Sequence, residues 1–160
     1  MPRFQVGVTI KKQIDTVYQA YTDPENMLIW SRDLEKFEVI KGEFGKIGSI
    51  AHLHYNQNGR KNIVVDRLEY LDPGNKIIAR ISVGGLTARV ETTFKSSDNK
   101  TEILLKWDGR GKNLLVKSLL PLMIRKIKKR AQSELDIFKE LVEKYGIKFQ
   151  KKTGINNIKN

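Results

Sequence analysis

The chain has 160 residues, 39% of them hydrophobic and 30% charged, enough apolar material for the core of one domain; this balance excludes a bilayer-spanning or natively disordered chain. Lys and Arg number 30 against 18 Asp and Glu, so the net charge of +12 admits an anionic partner without constraining the fold. Cysteine is absent, which excludes disulfides, thiolate nucleophiles and cysteine-held zinc and leaves His52 and His54 as the only imidazoles.

Met1-Pro2-Arg3-Phe4-Gln5 lacks the apolar run of a secretion signal, so the expectation is a cytoplasmic protein. Phe4, Val6, Val8 and Ile10 alternate with small or polar residues, a strand pattern. Ile14, Val17, Tyr18 and Tyr21 then recur at helical spacing, with Asp15 or Thr16 near the expected N-cap. Asp23-Pro24 ends that helix, and Pro24 can open a second one through Met27, Leu28 and Trp30.

From Lys36 to Gly109 the pattern becomes strands punctuated by Gly, Asn, Asp and Pro, with runs at about 36–41, 49–55, 60–71, 76–83, 86–95 and 101–108. The links are short enough for an antiparallel meander. Leu86, Ala88, Val90, Thr92 and Phe94 share one face, and Ile103, Leu105 and Trp107 oppose Glu102, Lys106 and Asp108, so one side of the sheet is dry. For 60–71 either Val64, Asp66, Leu68 and Tyr70 or Ile63, Val65 and Arg67 point inward; the set containing Leu68 and Tyr70 is preferred.

After Gly109-Arg110-Gly111 a helical pattern runs from about Leu114 to Tyr145 and closes at Gly146. Its stripe from Val116 through Leu120, Met123, Ile127, Leu135 and Phe138 to Tyr145 suits the dry face of the sheet, and Pro121 should kink it or mark where its main part begins. Residues 1–148 form the expected single domain, and the basic stretch 149–160 is expected to be a disordered tail. The charge is concentrated here: residues 1–109 hold 16 basic and 14 acidic residues, residues 110–160 hold 14 and 4.

Seven antiparallel strands, two short helices after the first and one long C-terminal helix make an α+β arrangement. A sheet this long twists around the helix, meeting it best near the helix C-terminal half and leaving an apolar cavity elsewhere. The order of elements resembles the START-like, or SRPBCC, superfamily with its Bet v 1-like helix-grip fold. The likeness is carried by Val17-Tyr18-Gln19-Ala20-Tyr21-Thr22-Asp23-Pro24-Glu25 leading to Trp30, by Gly48-Ser49, by Leu68 to Asp72-Pro73-Gly74-Asn75-Lys76-Ile77 and by Lys100-Thr101-Glu102-Ile103. Over residues 3–145 the chain is most similar to the polyketide cyclase/dehydrase and lipid transport branch. The resemblance implies binding or transport of a hydrophobic small molecule (lipid, quinone or polyketide-like) between sheet and helix, or a cyclase/dehydratase enzyme using the same cavity.

Trp30, Tyr55, Tyr70 and Trp107, each an apolar ring system with a polar tip, are the expected cavity wall together with Leu68 and Val90, under a roof of Leu120, Met123 and Ile127. Plain core filling accounts equally well for any one of them. Asp66 and Glu69 are the candidates for a general acid or base, since burial would bring a carboxyl toward neutrality; a wet-face ion pair is the competing reading. No HExxH, GxSxG, GxGxxG or P-loop spacing occurs, and no cofactor is expected. His52 and His54 share a strand face opposite to that of Ala51, Leu53 and Tyr55 and fall short of the three ligands of a catalytic zinc, so no metal is expected.

Arg125, Lys126, Lys128, Lys129 and Arg130 read as a solvated cationic helix face. The preceding Leu114 to Ile124 is apolar almost all round, which leaves Leu115, Leu119 and Leu122 without a place on the sheet side. An exposed apolar turn beside cations suits an anionic membrane, a homodimer or a cavity entrance. Nucleic acid is supported by charge alone, without stacking aromatics or a helix-turn-helix, and is not expected.

Overall fold

A computed structural model describes residues 2–151. In chain order the elements are β1 (Arg3–Ile10), α1 (Ile14–Thr22), α2 (Pro24–Trp30), β2 (Leu34–Lys41), β3 (Ile50–Gln57), β4 (Arg60–Asp72), β5 (Lys76–Val83), β6 (Leu86–Ser97), β7 (Lys100–Gly111) and α3 (Leu114–Tyr145). The strands form one seven-stranded sheet in the order β1-β7-β6-β5-β4-β3-β2, antiparallel at every pairing. It is the α+β arrangement that the hydrophobic pattern predicts and the helix-grip fold that the resemblance implies.

Turn chemistry fixes this meander. Asn58-Gly59, Gly84-Gly85 and Asp98-Asn99 each place two successive residues at positive φ, the backbone that two-residue hairpins require to match strand twist. α2 is capped by the Asp23 carboxylate, which accepts from the Glu25 amide at 2.9 Å, and Pro24 follows where no N–H is needed. The N-cap of α1 is Gln13 rather than Asp15 or Thr16, and its side chain makes no capping bond. α3 starts on Asn113, whose side chain accepts from Val116 N at 2.9 Å, runs through Pro121 without a break and stops at Gly146 with φ +77°.

The packed core gathers where the C-terminal half of α3 meets β1, β7, α1 and α2. Ile10, Val17, Ala20, Ile103, Leu135, Phe138 and Val142 are fully or almost fully buried there. β1 is a sheet edge, and α3 side chains take up its unpaired backbone groups. Gln132 accepts from Gly7 N (3.3 Å) and donates to Gly7 O (2.9 Å), Lys139 donates to Thr9 O, and Glu143 accepts from Lys11 N at 2.8 Å. These bonds lock the helix in register along the strand.

Phe149, at the start of the expected tail, is instead part of the core, with its ring 5.6 Å from that of Phe138. The buried Asn26 side chain holds this segment: it donates to Ala20 O and Ile147 O and accepts from Phe149 N. Lys148 pairs with Asp23 alongside. The rest of the tail, from residue 152, lies outside the described residues.

Two expected inward residues face elsewhere. Tyr70 is exposed because β4 carries an irregularity: Leu68 pairs with Ala79 but Tyr70 pairs with Ile78, so the extra residue Glu69 reverses the alternation and Leu71 turns inward in place of Tyr70. Met123 is also exposed, standing beside the stripe of α3 that packs inward.

Candidate functional site

Between the concave face of the sheet and α3 lies a cavity of about 650 Å³. Strand alternation supplies its wall: Ala51, Leu53 and Tyr55 from β3, Asp66 and Leu68 from β4, Ile77, Ala79 and Ile81 from β5, Val90 and Thr92 from β6, Leu105 and Trp107 from β7. α3 contributes Ile127, Arg130, Ala131, Glu134 and Leu135, and the short helices add Tyr18, Tyr21, Met27 and Trp30. Alanines at 51, 79 and 131 keep the space open where larger side chains would close it. Trp107 lies flat over Gly109, where an added Cβ would come within 2.1 Å of the indole, and stacks on Phe4 at 5.1 Å.

A small polar group is set into this apolar wall. Asp66 makes no hydrogen bond or ion pair among the described residues, and burial alone pushes its carboxyl up to about 6. Burial also raises Glu134 above the ordinary carboxylate range, against the pull of Arg130, whose Nε donates to it at 3.2 Å. Arg130 donates to Arg32 O, approaches Asp33 at 3.8 Å and lies 5.5 Å from the centre of the Tyr55 ring. Tyr55 OH is 3.3 Å from Ser31 Oγ, and Tyr21 OH is 3.5 Å from Thr92 Oγ1. Burial raises both phenols, with Glu134 and Asp66 adding negative charge nearby. Trp30 Nε1 is buried with no acceptor among the described residues.

Such a chamber can hold an apolar body and orient one polar end. Asp66, poised near neutrality, can accept a hydrogen bond or, when protonated, donate one. The family described as polyketide cyclase/dehydrase and lipid transport matches residues 1–143. The chain belongs to this family.

Membership of this family places the chain in the START-like superfamily that its motifs resemble. Its fold recurs in protein CV1439 from Chromobacterium violaceum, at 18% identity over 89% of this chain and 99% of that one, with a TM-score of 0.71. It recurs in the Zhui aromatase/cyclase from a Streptomyces species, at 16% identity over 87% and 92% with a TM-score of 0.69. The ginseng major latex-like protein from Panax ginseng gives 14% identity, 87% and 95% coverage and a TM-score of 0.69. Likeness at this identity concerns the fold alone. Among curated proteins no relative matches.

Of the residues singled out in this family member's sequence, Trp30, Tyr55, Asp66, Leu68, Val90, Trp107 and Ile127 line the chamber. Leu120 is buried in the core but does not line it, and neither Tyr70 nor Met123 reaches it. Glu69 lies on the outer face in an ion pair with Arg80 at 2.9 Å, which removes it from the acid–base candidates. Arg130, counted with the surface cations, turns inward, whereas Arg125, Lys126, Lys128 and Lys129 are exposed. Glu134 and Tyr21 were missed. The available signal was a carboxylate on the apolar stripe of α3, four residues after Arg130.

His52 and His54 sit on the outer face of β3, half-buried, with Glu38 of β2; one ligand atom from each of the three lies within 4.8 Å of the others. Glu38 already bonds His54 Nε2 at 3.1 Å and has Lys36 at 3.8 Å, and the cluster is separate from the cavity.

Proposed function

We propose that this protein binds and carries a hydrophobic small molecule, lipid-, quinone- or polyketide-like, with its apolar body in the chamber and a polar group at Asp66, Tyr21 and Tyr55. The observation that carries this reading is the 650 Å³ hollow under a wall of aliphatic and aromatic side chains, within the roughly 300–1,000 Å³ of small-molecule sites. Fluorescence titration with anilinonaphthalene sulfonate, an apolar body with one anionic group, tests it. Saturable binding of one probe per chain is expected, weakened by about tenfold or more in Ala131→Phe, which fills the space beneath α3. Titration that does not saturate, or equal affinity in Ala131→Phe, would overturn the reading.

A second reading, chemistry of the cyclase or dehydratase type in the same chamber, is favoured by the unpaired Asp66 carboxyl displaced toward neutral pH. It expects Asp66→Asn to abolish turnover of a polyketide-like substrate while leaving its binding intact. Unchanged turnover would remove Asp66 from any acid–base role.

A further inference from the structure

α3 changes character along its outer side. Leu115, Leu119, Leu122, Lys126 and Lys129 follow one another at intervals of three or four residues, so they project from one side of the helix, opposite to Leu120, Ala131 and Leu135. Leu114 is 82% exposed, Leu115 67% and Leu122 71%, on a helix whose later turns bury their large apolar residues. Stable proteins rarely leave such a patch in water without a use for it.

The charge around this patch has one sign. From Arg110 to Ser133 the chain carries eight Lys and Arg and no Asp or Glu. Among the described residues only Arg130 of these eight forms ion pairs, with Glu134 and Asp33. A second copy of the chain would match the leucines but would oppose like charges across a two-fold axis, with no acid on the stripe to meet them. An anionic lipid surface answers both halves: phosphates for the cations and the headgroup–acyl boundary for the leucines. No described helix is long and apolar enough to cross a membrane, so the geometry is that of a helix lying on one.

We propose that the N-terminal half of α3 is a docking surface for an anionic bilayer. The segment from Leu114 to Arg130, about 25 Å long, lies in the interface plane with Leu114, Leu115, Leu119 and Leu122 immersed. Lys126 and Lys129, flanked by Arg125, hold the lipid phosphates. This surface is on the opposite side of the helix from the residues that wall the chamber, and it operates whatever the chamber holds.

Flotation of the full chain with vesicles of mixed phosphatidylcholine and phosphatidylglycerol, against vesicles of phosphatidylcholine alone, tests the proposal. Binding is expected to the anionic vesicles, to weaken with added salt, and to be on the order of tenfold or more weaker to neutral ones. Leu115→Ser with Leu122→Ser, and separately Lys126→Glu with Lys129→Glu, are each expected to lose about tenfold or more in vesicle affinity. All four positions are exposed, so thermal unfolding should be unchanged, and anilinonaphthalene sulfonate should still saturate the chamber of the leucine variant. The proposal is overturned if the chain fails to float, if it binds both vesicles equally, or if either variant binds like the parent chain. It is equally overturned if light scattering shows a dimer that the leucine variant splits.

Discussion

Asp66 is a carboxyl placed where the sheet would otherwise offer an aliphatic side chain, between Val64 and Leu68 on β4. Nothing in the described protein pairs with it, and its displacement to about 6 comes from desolvation alone. Between its ordinary value near 3.9 and about 6 the folded chain therefore holds more protons than the unfolded one, so stability falls as pH rises through that window and is flat above it. Asp66→Asn removes the charge and with it this loss. We expect the variant to exceed the parent by about 1–3 kcal/mol at pH 7 and to match it near pH 4, read from urea unfolding at both pH values. An equal difference at both would show that ionisation is not the cause. Arg130 differs in kind: the sequence places it in a cationic run, but its spacing from Ile127 and Glu134 turns it to the inner side, where Tyr55 and Asp33 hold it.

The strands and α3 were legible in the sequence because their signals are local. Paired positive-φ residues mark the hairpins, and the helix ends coincide with Asn113 and Gly146. Two elements were less legible because the deciding contacts are distant in sequence. Glu69 is the extra residue of a bulge that alternation alone cannot reveal, so the parity of β4 is right at Asp66 and Leu68 and wrong at Tyr70. Asn26 reads as an ordinary helix residue, yet its side chain joins α1, α2 and the segment after α3 across more than a hundred residues. Asn26→Ala would strand the Phe149 amide and two carbonyls; a cost of about 2–4 kcal/mol in urea unfolding is expected. Phe149→Ala should cost about as much by emptying its place against Phe138. Because both changes release the same segment, the double variant should lose clearly less than the sum. Strict additivity would mean that Asn26 and Phe149 act separately.

The molecule as a whole divides its labour along α3. The C-terminal half is clamped to β1 and β7 and carries the solid core, while the sheet curls away from the rest and leaves a hollow. A hollow of this size forgoes packing contacts that a filled interior would make, so function and stability should pull in opposite directions at the small residues of its wall. Ala79 is a direct probe, since its methyl faces the cavity from β5 and its neighbours Ile77 and Ile81 are large enough to pack beside a new side chain. In a tightly packed interior Ala79→Leu would force strain and lose about 1–3 kcal/mol. In a true ligand chamber the added atoms enter vacant space, and the ligand-free protein should gain about 0.5–2 kcal/mol in urea unfolding while its affinity for anilinonaphthalene sulfonate falls. The two measurements must move oppositely; loss of both would mean that the interior at Ala79 is core rather than chamber.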